Sequence, residues 1–455
     1  MIRFIPRRYW AVIAVALALT MSVLDGTIVN VALPTLSREF GTSPSSTIWI
    51  VNAYQLTITM SLLSFSALGD IYGYKRIFLI GTTIFCSTSL FCALSSSFAM
   101  LTVARILQGI GASAIMSVTT ALLRIIYPPQ YIGRGMSINA MVVAVSIAAG
   151  PSLAGAILSV ASWNWLFAIN VPLGICAIIT GYFLLPQNPC KDGPKRKFDK
   201  IGGISNALTF GLLIYSLEGI AHHENWRMIA LQVLLLFVIG TFFIRRQLRQ
   251  EVPILPLDLM RIPIFALSVL SSITSFTAQL LAMVSLPFYL QNVAGRNEVE
   301  TGLLLTPWPV ATILTAPVAG RLIEKYHPGL LGGIGMVVYA TGLLLLALLP
   351  GQPTNMDIAW RLMLCGMGFG LFQTPNNSTM ISAAPRSRSG GANGMQGTAR
   401  LLGQTLGTTF VALIFSVTSA TDSMPVCMYV AIGFALVAAI VSCLRISQPV
   451  PMRGR

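Results

Sequence analysis

The sequence predicts an all-α polytopic membrane protein, and three observations carry that expectation. The 455 residues are 55% hydrophobic and only 9% charged, too few charges to cover the surface of a soluble protein of this length. Apolar stretches of about 20 residues recur along the whole chain, the length that spans about 30 Å of hydrocarbon as a helix. The 39 Gly and 25 Pro also fit, since both are commoner in membrane helices than in soluble ones.

Fourteen spans are predicted, near 11–33, 48–69, 77–95, 98–123, 136–160, 164–185, 201–219, 228–246, 264–290, 302–323, 329–350, 358–380, 391–418 and 424–445. The first follows "RFIPRRYW" and is expected to be retained, because its apolar part is too long for a signal peptide and lacks a small-residue cleavage site. With the N-terminus in the cytoplasm, the basic residues sort by side. Of the 29 Lys and Arg, only Arg38, Arg227 and Arg296 fall outside, while Arg105, Arg361 and Arg400 lie in or at the ends of spans. That positive-inside bias supports the span count and an orientation with both termini cytoplasmic. The net charge of +15 then reports topology and contact with anionic lipid, and no nucleic-acid partner is expected. Cys86, Cys92, Cys176, Cys365, Cys427 and Cys443 fall in predicted spans without metal-ligand spacing, as small apolar side chains without disulfides do.

A repeat organises the chain. "LGDIYGYKR" after the second span, with Asp70, corresponds to "GRLIEKYHPG" after the tenth, with Glu324 and Lys325, at an offset of 254. Arg105 opens the fourth span and Arg361 the twelfth, 256 later; Arg134 precedes the fifth span and Arg388 the thirteenth, 254 later. These landmarks predict two six-helix halves, 1–190 and 263–455, separated by residues 191–262, a basic cytoplasmic loop and two inserted helices. Halves related in this way are a transporter architecture.

Several stretches carry a closer resemblance. "LDGTIVNVALP" (Leu24–Pro34), "SALGDIYGYKR" (Ser66–Arg76), "LTVARILQGIGA" (Leu101–Ala112), "SIAAGPSLAG" (Ser146–Gly155) and "WNWLFAINVPLG" (Trp163–Gly174) occur in the order and spacing of the major facilitator superfamily. They are most similar to its fourteen-helix drug:proton antiporter-2 family, and within it to enterobacterial transporters grouped with methyl-viologen and biocide exporters. The gate motif departs from the family pattern at Ser66, Ile71 and Tyr74, and the antiporter motif at Ser146 and Ala154. The resemblance implies a major facilitator fold in the bacterial inner membrane and proton-coupled export of amphipathic, often cationic compounds. An enzyme would need catalytic groups clustered at one depth, and only isolated ones occur, so no enzyme activity is expected; no cofactor or metal is expected either, and a monomer is expected.

Asp25 is the charged side chain of the first span. A carboxylate there costs about 2.5–3.5 kcal/mol on insertion scales, so it needs a cavity or a partner. Ser22, Gly26 and Asn30 follow it around one side of the helix and predict a polar cavity wall. Asp25 is then a proton carrier, a counter-ion for a cationic substrate, or both in competition; a purely structural acid is the other reading. Adding the repeat offset gives Gln279, expected across one central cavity from Asp25. Arg105 either snorkels to the interface or joins Asp25 in proton coupling, and Arg400 poses the same choice. Asp70, Gly73, Lys75, Arg76 and Glu324 are expected to form a cytoplasmic latch. Gly150, Pro151 and Gly155 let helices approach closely and bend, which would seal the substrate path in one state. Tyr54, Phe276, Phe288, Trp308, Phe369 and Phe372 either line an adaptable pocket or fill space. Glu218 is expected at the outer interface, beside a solvated His222–His223 pair that makes no metal site.

The readings left open are a narrower metabolite or amino-acid exporter and, from another class, a sensor on a transporter scaffold. A sensor would need an appended soluble domain, which "SQPVPMRGR" does not offer.

Overall fold

The computed structural model describes residues 7–127, 132–187, 199–221, 225–250, 255–385, 388–419 and 421–447. Much of the polar loop between the predicted halves, His222, His223 and the side chains of Arg134 and Glu218 lie outside the described residues.

Among the described residues the regular structure is helical throughout. In order the helices are α1 (Arg7–Glu39), α2 (Pro44–Thr47), α3 (Trp49–Tyr72), α4 (Tyr74–Ala93), α5 (Phe98–Ile126), α6 (Ile132–Val160), α7 (Trp165–Ala168), α8 (Asn170–Leu184), α9 (Lys200–Ala221), α10 (Trp226–Leu248), α11 (Pro263–Asn292), α12 (Glu298–Leu305), α13 (Pro307–Leu322), α14 (Pro328–Ala347), α15 (Asn355–Ala383), α16 (Ser389–Val417) and α17 (Ser423–Leu444). Long apolar runs make the helices, and polar caps set their ends. Ser97 Oγ accepts from Met100 N–H at 3.2 Å to start α5. Asn297 with Glu300, and Thr354 with Asp357, form capping boxes for α12 and α15. Gly73 joins α3 to α4 at φ 102°, a conformation that a side chain would strain.

Among the described residues, twelve helical segments are long and apolar enough to cross a membrane, against the fourteen predicted. Helices α9 and α15 are outside that set. α15 carries Gln373, Thr374, Asn376 and Asn377 in its sequence, which lowers its apolarity. It nevertheless packs along α13 and α14.

Helices α1–α8 form one group and α11–α17 another. Chain direction alternates between the long segments, so both described ends lie on one face, here the near face; the α1–α2 turn marks the far face. Helix α9 lies over the seam between α3 and α16. Asn206 Nδ2 donates to the Met60 carbonyl at 2.8 Å, and Gly211 faces the Met60 side chain. The inserted hairpin thus touches both groups.

The near end of that hairpin is tied by Asp199, which accepts from Arg246 Nη2 at 2.8 Å, from the Gly202 N–H at 3.0 Å and from Gln250. Burial pushes this carboxyl up, but the hydrogen bonds from Arg246, Gly202 and Gln250 outweigh it and hold Asp199 below the usual carboxylate range. A lowered carboxyl stabilises the fold above its unfolded value of about 3.9, and that contribution is lost as pH falls through the lowered value. Asp199→Asn should therefore cost about 1 kcal/mol or less at pH 7, given the part-exposed pair. The difference from wild type should close towards pH 3, as read by melting temperatures across that range.

Candidate functional site

The α1 acid does not line an open space. Asp25 is 1% exposed and Arg105 is fully buried. One reason is electrostatic: a carboxylate in a membrane interior needs a counter-charge, and the guanidinium lies on α5, inside the first helix group. Arg105 Nη1 donates to Asp25 Oδ2, and Gln108 Nε2 and Asn170 Nδ2 each donate to Asp25 Oδ1 at 3.0 Å. The carboxylate thus draws α1, α5 and α8 together through three donors.

The guanidinium is held as tightly. Its Nη1 also donates to Gln108 Oε1 at 2.6 Å, and its Nε to the Ile50 carbonyl at 3.2 Å. The Tyr54 ring lies 4.1 Å away and Phe167 5.6 Å, distances at which an aromatic face stabilises a cation. Tyr54 is fixed by donating its hydroxyl to the Ser22 carbonyl at 2.8 Å. One atom, Arg105 Nη2, is buried without a hydrogen-bond partner.

The polar stripe expected to flank Asp25 as a cavity wall is placed differently. Ser22 is 3% exposed, with its hydroxyl turned to the Ala18 carbonyl. Asn30 is buried, and its Oδ1 has no partner. The part-exposed side of this stretch is Val23, Gly26 and Thr27. Because the acid side of α1 turns towards α5 and α8, Ser22 and Asn30 turn inward with it. Gln279 sits half-buried on α11 and makes no hydrogen bond with a described residue. Asp25 and Gln279 therefore do not face each other across an open cavity in this conformation.

Tyr54, Phe276, Phe288, Trp308, Phe369 and Phe372 are all buried. Phe276, Trp308, Tyr339 and Phe369 form a chain of edge-to-face contacts. They are interior packing in the second group, apart from Tyr54, which belongs to the Arg105 site.

The two groups close against each other at the far face. Glu298 pairs with Arg38 at 3.0 Å and accepts from Thr35 at 3.2 Å. Gln291 Nε2 donates to the Val31 carbonyl at 2.9 Å, and Ser45 Oγ to the Ala412 carbonyl at 2.9 Å. Glycines allow the approach. A Cβ on Gly155 would lie 2.7 Å from the Glu298 carbonyl and one on Gly302 2.2 Å from the Pro151 carbonyl, while within the first group a Cβ on Gly150 would lie 2.1 Å from Thr27 Oγ1. The α6 motif is thus pressed between α1 and α12.

At the near face the expected latch residues do not meet. Asp70 is exposed and accepts from Tyr74 on its own side of the molecule. Lys75 donates to the Tyr182 and Leu185 carbonyls at 2.7 and 2.9 Å, where a cation suits the C-terminus of α8. Arg76 and Glu324 are exposed, and no ion pair joins Asp70 or Glu324 to a described residue.

Sequence reasoning singled out Asp25 and Arg105 and offered Tyr54 only as pocket lining or filler, and it gave no site role to Asn170 or Phe167. Asn170 stood inside a quoted motif, and its signal was being a carboxamide within an otherwise apolar span.

A family model described as Major Facilitator Superfamily matches residues 15–408. The chain is 56% identical over 445 residues, 98% of its length and 97% of the relative's, to an uncharacterised transporter, YebQ, of Escherichia coli. It is 29% identical to a riboflavin transporter, RibZ, of Clostridioides difficile over 90% of this chain and 89% of that one. It is 28% identical to a multidrug efflux pump, LfrA, of Mycolicibacterium smegmatis over 90% and 82%. The fold matches a POT family transporter structure solved with a thioalcohol-conjugated peptide, with a TM-score of 0.73 over 96% of both chains at 16% identity. An all-helical architecture of two helix groups, a buried acid–arginine pair in α1 and α5, and the match over most of the chain agree: the protein is a membrane transporter of the major facilitator superfamily.

Proposed function

We propose that this transporter is a proton-coupled antiporter that exports amphipathic compounds by alternating access, with its near face in the cytoplasm of the bacterial inner membrane. In this reading α9 and α15 also cross the bilayer, giving fourteen spans in two six-helix halves and an inserted pair.

The observation that carries the reading is the sealed Asp25–Arg105 pair within a far-closed molecule. Taking a proton onto Asp25 here would strip Arg105 of its counter-charge in a site closed to water. Breaking a buried pair costs about 3–5 kcal/mol. Proton uptake is therefore tied to a conformation in which water reaches the pair and replaces what the proton removes. An acid sealed in one conformation and open to water in the other ties proton exchange to the switch between them, which is what coupled antiport requires. The sealed carboxylate offers no charge to a cationic substrate in this conformation, so its role in the cycle is the proton.

The near-face latch, with Asp70, Lys75, Arg76 and Glu324, is assembled in the opposite conformation, when the α6–α12 seal opens. Relatedness to a multidrug efflux pump supports a broad substrate range. Relatedness to a riboflavin transporter favours the second reading, a narrower metabolite exporter.

Everted membrane vesicles with an imposed pH gradient test both. Accumulation of ethidium that collapses on adding nigericin supports proton-driven multidrug export. Accumulation of riboflavin alone selects the narrow reading, and uptake of either solute that ignores the gradient overturns proton coupling.

A further inference from the structure

Helix α16 has four sides, and the structure accounts for three. One faces the first helix group: Gly394 and Gly397 meet Leu63 and Leu62, and Thr405 and Thr408 meet Thr59 and Asn52. A second faces α11, where Gly403 and Gly407 lie against the Ile273 and Thr277 carbonyls. A third shows part-exposed Leu402, Leu406 and Leu413, as a lipid-facing side does.

The fourth carries Asn393, Gln396, Arg400 and Gln404, spaced to fall on one stripe at 100° per residue and about 140–160° from the leucines. All four are part-exposed, and their side chains make no hydrogen bond or ion pair with a described residue. Arg400 Nε is buried without a partner. Arg400 lies about 17 Å from the near end of a helix about 43 Å long, close to mid-depth.

An unpaired guanidinium flanked by free carboxamides is not tolerated against lipid. The stripe therefore borders the space between the two helix groups, below the far-face seal. Asp25 is already neutralised by Arg105, and the part-exposed side of α1 offers Val23, Gly26 and Thr27, none of them charged. Arg400 is thus the charge that this space presents at mid-depth among the described residues, and its sign is positive.

We infer that Arg400, with Gln396 and Gln404 beside it, is a binding subsite for an anionic group of the transported molecule: a carboxylate, sulfonate or phosphate on an amphipathic body. A guanidinium meets such a group through two parallel charge-assisted hydrogen bonds, and the carboxamides supply further donors. The inference deepens the export reading, since it concerns the substrate space of that cycle. It shifts the substrate class from cations towards anions and zwitterions.

Two xanthene dyes of similar shape and opposite charge test it, fluorescein as the anion and rhodamine 6G as the cation. Their binding to the purified full-length protein is read by fluorescence anisotropy without any gradient, so the outcome is independent of proton coupling. Wild type is expected to bind fluorescein. Arg400→Gln should weaken that binding at least tenfold, Arg400→Lys should retain most of it, and rhodamine 6G binding should change less than twofold. The Lys variant and size-exclusion profiles separate a lost subsite from a lost fold. No fluorescein binding by wild type, equal loss of both dyes in a folded Gln variant, or unchanged fluorescein binding would each overturn the inference. So would displacement of fluorescein by phosphatidylglycerol as readily as by unlabelled dye, which would make the site a lipid's. Binding that follows this pattern in a protein that ignores a pH gradient would sink the antiport reading and leave the subsite standing.

Discussion

Asp25→Asn is expected to abolish pH-gradient-driven transport and to lower stability by about 3–5 kcal/mol, the usual loss when one partner of a buried ion pair is removed. The Asn side chain still accepts from Gln108 or Asn170, but Arg105 then keeps an uncompensated charge with no exposure to water. Arg105→Gln should destabilise for the mirror reason, leaving the carboxylate with amide donors alone. The double variant Asp25→Asn, Arg105→Gln removes both charges, so its melting temperature should return most of the way to wild type. Transport should not return with it, because no carboxylate remains at the site to carry the proton. Recovery of gradient-driven transport in the double variant would reduce the pair to a structural tie between α1, α5 and α8.

Gly155→Leu is expected to open the far face. A Cβ at position 155 already meets the Glu298 carbonyl at 2.7 Å and the Val299 Cα at 3.0 Å, and a leucine adds three more carbons where two backbones touch. The group contacts that close this face, among them Arg38–Glu298 and Gln291 with the Val31 carbonyl, should separate. In a single-cysteine background with Val31→Cys, a membrane-impermeant maleimide applied from the far side should label the Gly155→Leu variant and not its Gly155 parent. Net transport should fall at least tenfold, since the cycle stalls in one state. Protection of the cysteine in both proteins would show that α6 and α12 do not make the seal.

Much of the site was legible because membrane insertion penalises each polar group strongly. Asp25 and Arg105 stand out among apolar neighbours, and a charge in that setting needs a partner wherever the helices lie. The glycines of α6 and of the α3–α4 turn were legible for a related reason: Gly155 sits where backbones touch, Gly150 against the Thr27 side chain and Gly73 at a sharp turn. The direction in which Asp25 points was not legible. Helical spacing put Ser22, Gly26 and Asn30 near it on one side but could not tell a cavity from a neighbouring helix, since both satisfy a polar stripe. Likewise Arg400 and Arg361 looked alike as charges in or near spans. Arg361 pairs with Asp357 on its own helix at 3.4 Å, whereas Arg400 is left unpaired among the described residues.

The sequence alone determined a membrane-spanning helical transporter, the alternation of its helices and the identity of the α1 acid. Those follow from hydropathy, charge bias and motif spacing, all properties of the chain taken locally. Only the tertiary structure decided which groups meet. Asp25 is enclosed by residues 80, 83 and 145 positions away, and the far-face seal joins α6 to α12. Arg400 on α16 is left unpaired among the described residues, whereas Asp25 on α1 is paired. Such encounters depend on how each helix is rotated about its axis, and that rotation is set by all of its neighbours at once.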